Sequence, residues 1–134
     1  MIKMKTKTKE PTTKKEQLTE ILQKLKKIGD ILGSAVVSRD GLVVASDLSR
    51  DVDEDTFAAM SAAMQGAAET AVSELSQGEL KQILVDAVKG KMLAIGAGKL
   101  AILVVLAKPS INLGLALLEL KRASAKISAV LGKE

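Results

Sequence analysis

Leu18, Ile21, Leu22, Leu25 and Ile28 recur at helical spacing, which predicts an amphipathic first helix over residues 14–28. Thr13 followed by Glu16 has the capping-box pattern for its start, and Gly29 suits its stop. The pattern then shortens to two strand-like runs, 33–38 and 42–47, joined by Asp40-Gly41. That dipeptide fits a two-residue hairpin turn in which both central positions take positive φ. The resulting register sets Val37 opposite Val44 and Val36 opposite Ala45. One face then carries Ala35, Val37, Leu42 and Val44, and the other Val36, Val43 and Ala45. Both faces are apolar, so the sheet needs cover on both sides.

A second helix begins near Asp53, where Asp53-Glu54-Asp55 places acids at the positive end of the helix dipole. Phe57, Met60, Met64, Ala68, Ala71 and Leu75 form one stripe. The other faces are also small, with Ala58, Ala59, Ala62, Ala63 and Ala67. Alanine is a good helix former in any setting, but small residues on several faces also admit a second helix at close range. Three further strands follow at about 80–87, 91–95 and 99–107, separated by Lys89-Gly90 and Gly96-Ala97-Gly98. Connections this short make the neighbours antiparallel. A last helix starts near Ser110 as N-cap after Pro109, with Leu113, Leu117, Leu120, Ala123 or Ser124, Ile127 and Leu131 as its buried stripe.

The chain has 134 residues, 47% of them hydrophobic, enough for one domain with a real core. Phe57 is the only aromatic residue, so that core is aliphatic. Cys and His are both absent, which removes disulfides, thiol chemistry and the common nucleophile–base triads. The longest apolar run, 100–107, is too short to span a bilayer and reads as a buried strand. No secretory signal precedes the first helix, and a cytoplasmic setting is expected. The net charge of +4 is unevenly distributed: residues 1–15 hold six lysines and one Glu, so the remainder sums to −1. Residues 1–12 are expected to form a basic tail outside the domain of 13–134.

The run Ala35-Val36-Val37-Ser38-Arg39-Asp40-Gly41-Leu42-Val43-Val44-Ala45-Ser46 resembles the first hairpin of Roadblock-type dynein light chains and their prokaryotic relatives. Ser110-Ile111-Asn112-Leu113-Gly114-Leu115 resembles the entry to that family's last helix, and the acidic-to-alanine helix between them fits as well. The resemblance covers about residues 14–131. It implies an α+β, profilin-like fold with order α-β-β-α-β-β-β-α. A five-stranded antiparallel sheet would have the second helix on one face and the first and third on the other. It also implies homodimers paired through the second helix and third strand, acting as regulatory or scaffold subunits that contact small Ras-like GTPases. Some bacterial relatives stimulate GTP hydrolysis by that partner; no residue here has an obvious finger-type role. On this reading the interface residues are Phe57, Met60, Ser61, Met64, Ala67, Ala68, Ala71, Ile83 and Val85.

Other motifs fall short of a site. Gly96-Ala97-Gly98-Lys99 has Leu93 where a phosphate loop needs Gly and Leu100 where it needs Ser or Thr. Asp51, Asp53 and Asp55 resemble the opening of a calcium loop, but Thr56 and Ala62 replace its Gly and Glu. No enzyme activity, metal or cofactor is expected. Arg39 and Arg50 are isolated arginines read as solvated, with a partner contact as the alternative. The competing function is a polyanion-binding scaffold in which Lys3, Lys5, Lys7, Lys9, Lys14 and Lys15 attract nucleic acid or an anionic membrane. Without aromatic stacking platforms, no specific nucleic-acid readout is expected.

Overall fold

The computed structural model describes residues 13–132. The tail residues Lys3, Lys5, Lys7 and Lys9 lie outside this range. The elements are α1 (Lys14–Lys26), β1 (Ile31–Ser38), β2 (Val43–Asp47), α2 (Glu54–Glu74), β3 (Ile83–Asp86), β4 (Lys91–Ala97), β5 (Ala101–Ala107) and α3 (Leu113–Leu131). The five strands form one antiparallel sheet in the order β2-β1-β5-β4-β3. The fold is thus the α+β arrangement expected from the sequence, with β2 and β3 at the edges.

The helix starts follow from their caps. Thr13 accepts from the Glu16 amide at 3.0 Å and the Glu16 carboxylate accepts from the Thr13 amide at 3.2 Å, a complete capping box. Asp53 accepts from the Asp55 and Thr56 amides and caps α2. The last helix departs from expectation. Its cap is Asn112, which accepts from the Leu115 amide at 3.1 Å. Ser110 instead donates to Asp30 at 3.2 Å, while Ile111 is buried. Placing the helix start after this anchor turns Ala116, Leu120, Ala123, Ile127 and Val130 inward, and leaves Leu113, Leu117 and Leu131 at the margin.

The first hairpin also differs in detail. Gly41 has φ +89°, but Asp40 is not in the left-handed region. The Gly41 amide donates to the Ser38 carbonyl at 3.0 Å and the Ser38 amide to the Leu42 carbonyl at 2.8 Å, so three residues, Arg39-Asp40-Gly41, make the loop. Val37 consequently pairs with Val43, not Val44, while Val36 keeps Ala45 as partner. The residue left over, Val44, is a β-bulge, and it joins Val36 and Ala45 on one face while Val43 joins Ala35 and Val37 on the other. Leu42 is exposed. In the second hairpin the turn residues are Val88-Lys89, closed by mutual Ala87–Gly90 bonds, so Gly90 belongs to the closing pair. β3 is four residues long, half the expected run.

Two hydrophobic clusters lie on opposite faces. On one, α1 and α3 pack Leu18, Leu22, Leu25, Ala116, Leu120 and Ile127 against Val36, Leu93, Leu103 and Val105. On the other, α2 sets Phe57 and Ala58 against Ala35, Val37, Ala94, Ile102 and Val104. The two-sided cover expected from the sequence is present. No helix among the described residues is long and apolar enough to cross a membrane.

Candidate partner interface

α2 is almost free of large side chains, and its orientation is set by few of them. Phe57, Ala58, Ser61 and Gln65 face the sheet and are buried. Relative to the stripe read from the sequence, the helix is turned by roughly a quarter turn. Met60 is 66% exposed and Leu75 68% exposed. Ala67 and Ala71 are also exposed, whereas Met64 and Ala68 are half-buried. Of the interface residues named from the sequence, Phe57 and Ser61 therefore point into their own protomer's core and are not available to a partner. Met60, Ala67 and Ala71 are available.

α2 packs across β1, β2 and β5, while α1 lies on β1 and β2 and α3 on β4 and β5. β3 is left nearly bare. Ile83 and Val85 are half-buried, Leu84 between them is 46% exposed, and Val88 in the following turn is 95% exposed. As the edge strand, β3 also presents an unpaired row of backbone donors and acceptors. Beside it, Val85, Met92, Leu106 and Leu32 line an open 300 Å³ hollow. The structure therefore leaves Met60, Ala67 and Ala71 of α2 exposed and Ile83 and Val85 of β3 half-buried, the last two on an edge strand that α2 does not cover.

A polar seam runs along the buried side of α2. Ser61, Gln65 and Glu69 recur at intervals of four residues, so they share one helix face. Arg39 reaches this face from the first turn. Its Nη1 donates to Glu69 Oε2 at 2.5 Å and its Nη2 to the Gly98 carbonyl at 3.1 Å. Gln65 Nε2 donates to the same carboxylate oxygen at 3.2 Å. The Arg39 hydrogen bond, with that of Gln65, holds the Glu69 carboxyl below the ordinary carboxylate range, against the opposing effect of burial. Gly96 makes room for the arginine: a Cβ there would lie 3.2 Å from Arg39 Nη2. Arg39 Nε, Ser61 Oγ and Gln65 Oε1 are buried and have no protein partner. The sequence reading of Arg39 as solvated is thus corrected: it clamps two turns to α2. Its signal in the sequence was Glu69, the first acid on α2 after Asp55. Arg50 is exposed.

The acids at the start of α2 do helix work, as expected: Asp53 caps, and Glu54 accepts from the Ser46 hydroxyl at 2.6 Å. Among the described residues no cluster of three acids is arranged to hold a metal ion. The glycine-rich run does form a hairpin, but its turn is Gly98-Lys99-Leu100, with Gly98 at φ +77°, whereas Gly96 and Ala97, read as turn residues, pair with Ile102 and Ala101 within β4. Lys14 and Lys15 sit in the first turn of α1, away from this surface.

The model of the Roadblock/LC7 domain family matches residues 17–107. The uncharacterized proteins MJ1340 and MJ0310 of Methanocaldococcus jannaschii are each 42% identical over 113 residues, covering 84% of this chain and 98% of the relative. Among solved structures, Myxococcus xanthus MglB superimposes with a TM-score of 0.83 at 18% identity, covering 92% of this chain and 93% of that one. The gliding protein MglB of Thermus thermophilus gives 0.81 at 19% identity, covering 93% and 96%. A Roadblock/LC7 domain from Streptomyces avermitilis gives 0.79 at 20% identity, covering 84% and 96%. At these identities the structures speak for the fold.

Proposed function

This chain belongs to the Roadblock/LC7 domain family, and on that premise we propose that it is a non-enzymatic homodimeric regulator or scaffold that binds a small Ras-like GTPase. The observation that carries the reading is the bare β3 edge beside the uncovered half of the sheet and the exposed Met60 of α2. Two copies set β3 against β3 antiparallel, which pairs the open backbone groups of Ile83–Asp86 and extends the sheet across both protomers. The α2 helices then lie side by side. Ala67 and Ala71 let their backbones approach, and Met60 and Met64 fill what gaps remain.

The paired helices form the roof to which the GTPase binds. α2 exposes Glu54, Asp55 and Glu74 and has no Lys or Arg, so the roof favours a partner with a basic contact surface. Regulation needs no catalytic group on this chain. A roof that binds one nucleotide state of the GTPase more tightly shifts the partner's population by that difference in affinity. The absence of His and Cys from the chain supports a binding role over an acid–base or thiol-dependent one.

The test is a pull-down from source lysate with the full chain as bait, in GDP or a non-hydrolysable GTP analogue, read by mass spectrometry. A small GTPase retained in one nucleotide state is the expected result. Retention of no GTPase in either state, with the bait dimeric, removes the regulatory reading.

A further inference from the structure

The layer opposite α2 has the opposite charge. α1 and α3 bring Lys24, Lys121, Arg122 and Lys126 to the outside, and Lys27 follows as the C-cap of α1. Lys24, Lys27, Lys121 and Lys126 make no ion pair among the described residues; Arg122 pairs with Glu119 at 3.3 Å. Lys24, Arg122 and Lys126 line one 120 Å³ groove between the two helices, with Glu20 and Glu119 as the acids in that lining. Leu118 and Leu115 of α3 are 46% and 44% exposed. Helical spacing puts Leu118, Lys121, Arg122 and Ala125 on one outward side. The exposed leucine therefore stands among cations.

We propose that the α1/α3 layer docks on an anionic lipid bilayer. The cations meet lipid headgroups, and Leu118 and Leu115 enter the headgroup boundary. This orientation turns acidic α2 away from the membrane, where like charge would repel it, and leaves it open to a protein partner. The inference rests on the α1/α3 surface alone and stands apart from the GTPase reading. Lipid is favoured over nucleic acid because the exposed groups among the cations are aliphatic, and the chain's one aromatic, Phe57, is buried under α2. Each cation near an anionic surface raises partitioning roughly fivefold.

Co-sedimentation of the full chain with vesicles of phosphatidylcholine, alone or mixed with phosphatidylserine, tests this. The chain is expected to sediment with the mixed vesicles only. The double variant Lys121→Glu/Lys126→Glu should lower partitioning by tenfold or more, on the order of two lost contacts with repulsion added. Leu118→Ser should lower it several-fold, including at salt concentrations that screen the lysines. Glu74→Lys, on the opposite face, should cause no loss, and circular dichroism of each variant checks that the fold is kept. Failure to bind mixed vesicles overturns the proposal. So does binding that ignores the α3 variants and vanishes only when Lys3, Lys5, Lys7 and Lys9 are changed to Gln. Equal binding to duplex DNA, sensitive to the charge variants but not to Leu118→Ser, would assign the face to polyanions in general and overturn the lipid assignment.

Discussion

The two faces of the sheet are built from different materials. Under α1 and α3 the contacts are large and aliphatic: Leu18, Leu22, Leu120 and Ile127 are fully buried against Leu93, Leu103 and Val105. Under α2 the cluster has fewer buried members, led by Phe57 and Ile102, a serine and a glutamine lie in the seam, and three buried polar atoms have no protein partner, against one, Ser34 Oγ, on the other face. One helix covers β1, β2 and β5 on that side and leaves β3 bare. Burial scales with the apolar area removed from water, so the first face supplies most of the fold's stability. The second is left with the loosest packing and the most open surface, the qualities of a face that associates. Charge follows the same division, cations outside α1 and α3 and acids along α2.

The largest effect should come from the thick face. Leu120→Ala removes a fully buried side chain and is expected to cost about 2–5 kcal/mol, measured by the midpoint of urea unfolding at unchanged slope. A destabilisation no larger than that of an α2 variant would erase the contrast between the faces.

Arg39→Ala comes next. It removes bonds to Glu69 and to the Gly98 carbonyl, and an expected loss of about 1 kcal/mol allows for the pair's partial exposure to solvent. The pH dependence has a definite sign. The folded-state pKa of Glu69 is depressed, so its stabilising contribution is present above the ordinary carboxylate range and is lost as pH falls through the lower folded value. Glu69→Gln should flatten the acid limb of the stability profile relative to wild type. Superimposable acid limbs would mean that the Arg39 contact does not stabilise the charged carboxylate.

The smallest effect is expected at Ser61. Its side chain is fully buried and its Oγ has no partner, so Ser61→Ala should be neutral or stabilising by up to about 1 kcal/mol. A clear loss in thermal unfolding would show that this hydroxyl is engaged by water and that the seam is better satisfied than its protein contacts suggest.

The difference between the faces also decided what was legible in the sequence. α1 and α3 carry large apolar residues at helical spacing, and the position of α1 together with its capping box followed directly from them. The rotation of α2 did not. With alanine on most sides, no stripe outweighs the others, and Met60 and Leu75 attracted the reading that belongs to Ser61 and Gln65. A polar side chain faces inward there because Arg39 and Glu69 build a seam around it, a tertiary contact between residues 30 positions apart. The Val44 bulge escaped for a related reason: both of its possible faces are apolar, so alternation could not fix the register. Asn112 replaced Ser110 as a helix cap because Asp30, distant in sequence, engages Ser110. The β3 edge followed from the family resemblance alone, since hydrophobic patterning does not give the strand order that leaves β3 outermost.

The measurement that bears most directly on the central claim is the solution mass of the full chain and of its Met60→Glu variant, by light scattering across a concentration series. Met60 is exposed in the isolated fold, so the substitution leaves the core intact, and matching far-ultraviolet circular dichroism spectra would verify that. The wild type is expected at twice the 14.1 kDa of one chain, and Met60→Glu is expected to shift toward the single-chain mass. A wild type that stays at the single-chain mass, or a variant that dimerises as tightly as the wild type, would contradict it.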